Sequence, residues 1–262
     1  MISLKDIGII GVGKMGGAIA KGLEGKKFAL KILDRHPVEI AAAEQVDSYL
    51  KLANCDAVLL CVKPGDLQEA AVGFYDAMRQ AGKHPLVISI AAGKTVSFLE
   101  GSLPGERVVR AMPNLAASVG KSVTCFSSGK LATRKDAALA REIFDCFGTS
   151  MQLEESELDA ASVLCGSGPA FFFHFAQKLS NAGVSMGLDA ETADFLARQV
   201  LVGAGRIAES SEESMADLMR KVATPKGFTE AALQSLESSG FEDAIAKATA
   251  TAKEKCTKIG VK

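Results

Sequence analysis

The apolar run Ile7–Ile10 ends in Gly11-Val-Gly13-Lys-Met-Gly16 and passes directly into a helix-like stretch near 14–24. A strand, a turn with glycine at its first, third and sixth positions, and a helix together leave few folds open. In that arrangement Gly11 permits the tight turn, Gly13 lets the backbone approach a pyrophosphate, and Gly16 lets the helix pack closely on the strand. The helix start then offers unpaired N–H donors and a positive dipole to the phosphates. The spacing therefore predicts a dinucleotide-binding turn made by Gly11, Val12, Gly13, Lys14 and Met15. The next strand-like run ends at Leu33-Asp34-Arg35. Asp34 stands where an acidic side chain can take ribose hydroxyls, which favours NAD. Arg35 beside it suits the extra phosphate of NADP, and the sequence leaves both cofactors open.

The rest of the first half repeats the pattern. Ala29–Leu33, Asp56–Val62, Leu86–Ala92, Arg107–Ala111 and Ser122–Phe126 read as strands, with helix-like stretches near 37–45, 65–81 and 133–147. The runs at 58–62 and 86–92 are apolar throughout, as in strands covered on both faces. The expected fold class is α/β: an N-terminal Rossmann-type, doubly wound sheet followed by an all-α C-terminal domain. Strand signals stop near 155. Beyond it the apolar positions Ala193, Leu196, Ala197, Val200, Leu201, Ala204, Ile207 and Ala208 keep helical spacing. Phe171–Ala182 and Phe241–Ile259 also read as helices, and Ser214-Met-Ala-Asp217 as a capping box. These observations divide the chain into a dinucleotide-binding domain, 1–155, and a helical domain, 156–262.

Composition narrows the function. Over 262 residues the net charge is −1, without the basic surface that nucleic acid or an anionic membrane demands. No apolar run is long enough to span a bilayer. The start runs from Met1-Ile-Ser-Leu straight into a strand and leaves no room for a signal peptide, so the expected location is the cytoplasm. The six cysteines show no Cys-x-x-Cys spacing and read as reduced thiols. His36, His84 and His174 are far apart and form no metal set.

Five further motifs follow in order: Cys61-Val-Lys-Pro64, Ile88-Ser-Ile-Ala-Ala-Gly93, Arg110-Ala-Met-Pro-Asn114, Gly166-Ser-Gly-Pro-Ala170 and Val222-Ala-Thr-Pro-Lys-Gly-Phe-Thr229. In this order and spacing the chain resembles the pyrroline-5-carboxylate reductase family over nearly its whole length. It departs from the family at three places. Leu115-Ala116 stands for the usual Thr-Pro, and Phe171 for the usual Tyr. Thr224-Pro-Lys226-Gly-Phe228-Thr229 replaces the usual Ser-Pro-Gly-Gly-Thr-Thr.

The resemblance implies NAD(P)H-dependent reduction of a cyclic imine, 1-pyrroline-5-carboxylate, to L-proline. It implies that Thr224 and Thr229 are catalytic and contact the imino acid, with Gly227 allowing close approach. Helix capping is the competing reading of both threonines. Val62, Lys63, Pro64, Ala92, Gly93 and Asn114 lie at strand ends, where open sheets bind their ligands, and are expected on the cofactor. The resemblance also implies an interwoven homodimer, or a higher homo-oligomer, with helices of both subunits at the active site. Two alternatives remain. The altered loop suits a reductase of a related cyclic imine, and the bulk at Lys226 and Phe228 also fits a non-catalytic dinucleotide-binding sensor.

Overall fold

The computed structural model describes residues 4–260; Met1–Ser3, part of the expected leaderless start, lie outside them. Among the described residues, one sheet holds eight strands: β1 (Lys5–Ile10), β2 (Phe28–Leu33), β3 (Ala43–Gln45), β4 (Ala57–Leu60), β5 (Leu86–Ser89), β6 (Val108–Met112), β7 (Ser122–Ser128) and β8 (Gly148–Gln152). Their order is β3-β2-β1-β4-β5-β6-β7-β8. The helices of this half are α1 (Lys14–Leu23), α2 (Tyr49–Leu52), α3 (Leu67–Ala81), α4 (Val96–Ser102), α5 (Arg134–Phe144) and α6 (Glu155–Ser162). The chain runs outward in opposite directions from β1 and from β4, so the order reverses between these two strands. That reversal opens a crevice at their carboxyl ends.

Alternation along the strands builds two cores. Ala57 and Leu59 of β4 join one apolar cluster with Ile19, Leu23, Ile143 and Phe144 of α1 and α5. Val58 and Leu60 join the other, with Leu67, Phe74, Met78 and Leu99 of α3 and α4. Successive side chains of a strand point to opposite faces, so a strand that is apolar at every position is one covered on both sides. This is the physical meaning of the continuous apolar runs in the sequence.

The structure departs from the sequence reading at several points. Residues 37–45 are not a helix: the chain is irregular after Pro37 and then forms β3, which pairs in parallel with β2 through Leu30 and Ala43. The Ala-rich stretch has helical propensity, but Leu33 and Ala43 are too close in sequence for a packed crossover helix, and pairing at the sheet edge wins. Strand β8 and the short helix α4 carry signals too brief to read. Strand β7 runs antiparallel to β6. The link from Met112 to Ser122 is also too short for a crossover. It folds instead into a 3₁₀ turn, Leu115–Val119, capped by Asn114 and closed by Gly120 at φ 69°.

By Cα proximity the chain forms two compact units. The first runs to Ser167 and takes back the chain from Ala252; the second is Gly168–Thr251. The second unit contains α7 (Gly168–Ser185), α8 (Ala190–Ser210), α9 (Met215–Val222), α10 (Phe228–Ser238) and most of α11 (Phe241–Gly260). Asp189 caps α8 by accepting from the Thr192 N–H at 2.9 Å. Ser214 caps α9, accepting from the Asp217 N–H at 3.1 Å, while the Asp217 carboxylate takes the Ser214 hydroxyl. Helices α7 and α8 meet where Gly183 faces Ala193. Little else in this unit is buried, and Phe172, Phe173, Phe195, Val200 and Ile207 are exposed. Among the described residues, no helix is long and apolar enough to cross a membrane.

Candidate functional site

The glycine turn sits at the β1–β4 reversal, and its three glycines have three separate reasons to be glycine. Gly11 has φ 89°, a left-handed conformation that side chains disfavour. At Gly16 a Cβ atom would lie 2.1 Å from the Gly11 carbonyl oxygen, so even alanine there would force the helix off the turn. At Gly13 a Cβ would meet nothing within 4 Å. The space over Gly13 is therefore vacant on the protein's side, as a cradle for a phosphate must be. The helical ladder of α1 begins with Gly17 N–H bonding the Gly13 carbonyl at 2.7 Å. The N–H groups of Lys14 and Met15 lie ahead of it, where a helix has no acceptor of its own.

Asp34 is tied to the turn itself. Its carboxylate accepts from the Val12 N–H at 2.6 Å and from the His36 N–H at 3.0 Å. Burial pushes the Asp34 carboxyl up, but these backbone donors, that of Val12 foremost, outweigh it and hold the group below the usual carboxylate range. Asp34 thus fixes the turn to the end of β2, and the N–H of Val12, a residue expected on the cofactor, is already donated. The Val12 side chain is buried in the core. Arg35 is well exposed and pairs with the equally exposed Glu69 at 3.0 Å, a contact that costs little to break.

Gly11, Gly13, Asp34, Arg35, Val62 and Lys63 share one cleft of about 560 Å³. Its size is ordinary for a bound cofactor. Asp47, Tyr49 and Asp66 also line it. Sequence reading missed these three because they come from separate elements and carry no motif. Lys63 and Pro64 open a turn closed by the Asp66 N–H on the Lys63 carbonyl at 2.9 Å. Ala92 and Gly93 form the turn after β5, with Gly93 at φ 76°.

Asn114 is buried, and both ends of its side chain are engaged. The oxygen accepts from the Ala116 N–H at 3.1 Å, and the amide nitrogen donates to the Cys165 carbonyl at 2.9 Å. Arg110, also buried, donates to Asp159 at 2.7 Å and Glu155 at 3.3 Å, pinning β6 to α6. Among the described residues, no group of three or more His, Cys, Asp or Glu side chains is placed to hold a metal ion.

Thr224, Gly227 and Thr229 belong to the second compact unit. Thr224-Pro-Lys-Gly227 is a β-turn closed by the Gly227 N–H on the Thr224 carbonyl at 2.9 Å. Proline at its second position and a left-handed residue at its third are the pattern of a type II turn. That third residue is Lys226, at φ 60°, among the described residues the only non-glycine with positive φ. A glycine, usual in the resembled family, suits that angle far better. Gly227 is the N-cap of α10, and no side chain caps this helix. Neither threonine side chain caps α10. The loop does not offer all its donors, since the Lys226 N–H is taken by Glu230 at 2.8 Å and the Gly227 N–H by Thr224. The donors left are those of the first helical turn, from Phe228 to Glu230.

The left-handed Lys226 leads to an expected result. A non-glycine residue there costs about 1–2 kcal/mol, and glycine gives back part of that through chain entropy. Lys226→Gly should therefore stabilise the protein by about 0.5–1 kcal/mol, read as a higher melting temperature. A lower one would show that the lysine side chain holds the loop.

Comparison with known proteins places these features in a family. Residues 155–259 match the family model described as pyrroline-5-carboxylate reductase dimerisation. Residues 6–93 match one described as NADP oxidoreductase, coenzyme F420-dependent. The chain is 34% identical to a pyrroline-5-carboxylate reductase of Methanosarcina acetivorans, over 98% of this chain and 99% of that protein. It is 32% identical to that of Mycobacterium tuberculosis, over 100% and 99%. Among solved structures, the Coxiella burnetii pyrroline-5-carboxylate reductase superposes with a TM-score of 0.90 at 28% identity, covering 98% of this chain and 99% of that one. The Plasmodium falciparum pyrroline carboxylate reductase, solved with NADP bound, gives 0.84 at 27%, covering 98% of each chain. The chain belongs to the pyrroline-5-carboxylate reductase family, whose members are NAD(P)-dependent oxidoreductases acting on the C=N bond of a cyclic imine.

Proposed function

We propose that this chain reduces 1-pyrroline-5-carboxylate to L-proline, holding NAD(P)H on the β1–α1 turn and the imino acid on the Thr224–Thr229 loop. The observation that carries the cofactor half is the glycine turn at the strand-order reversal, with the vacant space over Gly13. When bound, the reduced nicotinamide supplies the hydride. The N–H groups of Lys14 and Met15 face the pyrophosphate. Asp34 keeps the turn in shape and lies beside the adenosine ribose. Arg35, held only by an exposed ion pair, is free to swing onto a 2′-phosphate, which suits NADPH. Val62, Lys63, Pro64, Ala92, Gly93 and Asn114 border the rest of the cofactor at the strand ends.

On the substrate side, the first-turn N–H groups of α10 hold the imino acid's carboxylate. The Thr229 hydroxyl lies against the imine nitrogen and relays its proton, and Thr224 and Gly227 shape the loop around the ring. Positioning supplies most of the rate in such a site. The second unit completes itself against another copy of the chain. Phe172, Phe195 and Val200 are exposed on it, and a Cβ at Gly203 or Gly205 of α8 would meet nothing within 4 Å. We place the protein in the cytoplasm as a homodimer or larger homo-oligomer, with the six free thiols as support for a reducing compartment.

In bulk, the substrate loop departs from the family's usual sequence at two positions. Lys226 and Phe228 add bulk to the loop, and Phe228 is 91% exposed. Oxidation of NAD(P)H with a panel of cyclic imines tests the assignment. The five-membered imino acid should give the highest kcat/KM. A larger ring turned over faster would move the assignment to that imine, and cofactor binding without turnover of any imine would make the protein a sensor.

A further inference from the structure

Glu155 opens α6, and one oxygen of its carboxylate, Oε1, accepts from two places. One donor is the Val96 N–H at 2.5 Å, and the other is the guanidinium of the buried Arg110 at 3.3 Å. The Val96 N–H is the first of α4, and the first N–H groups of a helix have no acceptor within it. Thr95, the cap of α4, takes the Phe98 N–H at 3.1 Å and leaves that of Val96 to Glu155. The carboxylate thus ties the turn after β5 to α6. That turn holds itself weakly: Gly93 stands at φ 76°, and the bond from the Lys94 N–H to the Ala91 carbonyl is long, at 3.4 Å. Arg110 depends on Glu155 less, since it also donates to Asp159 at 2.7 Å.

The same stretch of chain holds the next strand end as well. Directly after α6, in the π-helical turn Val163–Ser167, the Cys165 carbonyl takes the Asn114 amide at 2.9 Å. Residues 155–165 therefore grip the segments that follow both β5 and β6. Strand order tells what those segments face. Asp34 ends β2, the glycine turn follows β1, and β4, β5 and β6 continue on the other side. A dinucleotide with its adenosine toward β2 and its pyrophosphate over the glycine turn extends its nicotinamide past β4, toward the ends of β5 and β6.

We propose that Glu155 is a positioning residue for hydride transfer. It acts through the Val96 N–H, which fixes the Ala92–Gly93 turn against the nicotinamide, while the affinity for the cofactor is carried at the glycine turn. The inference rests on the reading of the chain as an NAD(P)H-dependent reductase. It separates two functions of one carboxylate. Its oxygen holds the turn beside the reacting ring, and its charge adds a second, longer contact to an arginine that Asp159 already pairs.

Two conservative variants of the full chain test this. Glu155→Gln keeps the length and an oxygen for the Val96 N–H and loses the charge. Glu155→Asp keeps the charge beside Arg110 and, one methylene shorter, draws back from the Val96 N–H. Each is compared with the unchanged protein by thermal melting, by titration of NAD(P)H through its dihydronicotinamide fluorescence, and by steady-state reduction of 1-pyrroline-5-carboxylate. Glu155→Asp should lose on the order of 10- to 100-fold in kcat, as a displacement of about 1 Å does in a positioned site. Its Kd for NAD(P)H should stay within about twofold, because the phosphates bind at the start of α1. The fluorescence enhancement of its bound dihydronicotinamide should fall. Glu155→Gln should keep kcat within about threefold, since it retains a neutral acceptor. The reverse pattern, with Glu155→Gln impaired and Glu155→Asp intact, would make the Arg110 ion pair the contact that matters and overturn the proposal. Full kcat in Glu155→Asp overturns it too, as does a loss of kcat that comes with a lowered melting temperature and a weakened Kd, the mark of a purely structural role. If the unchanged protein binds NAD(P)H and reduces no imine, that failure belongs to the reductase reading, and the fluorescence of the bound nicotinamide still decides the role of Glu155.

Discussion

Gly13→Glu leaves the protein folded and removes dinucleotide binding. The two halves of this expectation come from one fact: a Cβ at Gly13 meets nothing within 4 Å. The backbone there is extended, at φ −68° and ψ −162°, so an ordinary side chain fits without strain. The glutamate then occupies the space a pyrophosphate needs and sets a negative charge against it at the start of α1. Affinity should fall at least about 100-fold, equivalent to about 2.7 kcal/mol, with an unchanged melting temperature. Titration of cofactor fluorescence beside a thermal melt reads both. The contrast with Gly16 is sharp, because a Cβ there meets the Gly11 carbonyl and any substitution attacks the fold before it attacks binding. Wild-type affinity in Gly13→Glu would mean that the phosphates lie elsewhere.

Thr229→Val lowers kcat by about 30- to 150-fold, the loss of one hydrogen bond made mainly in the transition state, on the order of 2–3 kcal/mol. Valine keeps the shape of threonine and deletes the hydroxyl. Because Gly227 and not threonine stands at the N-cap of α10, no helix cap is lost and the melting temperature should hold. A capping threonine would behave in the opposite way, losing about 1 kcal/mol of stability with kcat intact. Cofactor affinity should not move. Full activity in a stable Thr229→Val protein would take the imine nitrogen away from this hydroxyl and leave Thr224 or water as the proton's route.

The two substitutions are independent probes. One residue belongs to the first compact unit and the other to the second. A protein that loses binding with the first change and turnover with the second has a cofactor site and a chemical site where they are proposed. Loss of cofactor binding in Thr229→Val, or a lowered melting temperature in either variant, would point to a folding defect.

Much of this was written in local sequence. The glycine spacing after Ile7–Ile10 specifies a turn because each glycine answers a short-range constraint: a left-handed φ at Gly11, an open face at Gly13, and a backbone contact at Gly16. The buried strands β4 and β5 were legible because a strand covered on both faces must be apolar at every position. The long helices α7 and α8 were legible through their period. Tertiary structure decided whatever depended on pairing between distant segments. Within the stretch 37–45, Ala43–Gln45 is an edge strand because it pairs with β2, and the connection from Leu33 is too short for a packed crossover helix. Strand β7 turned antiparallel because Asn114 and Gly120 close a tight reversal after β6. Asp34 acquired its role in holding the turn only when β2 brought its carboxylate to the Val12 N–H. Lys226 shows no oddity as a letter in a sequence; its left-handed φ exists only in the folded loop. Periodicity and turn chemistry are set by neighbours along the chain, whereas these contacts are set by which segments the sheet brings side by side.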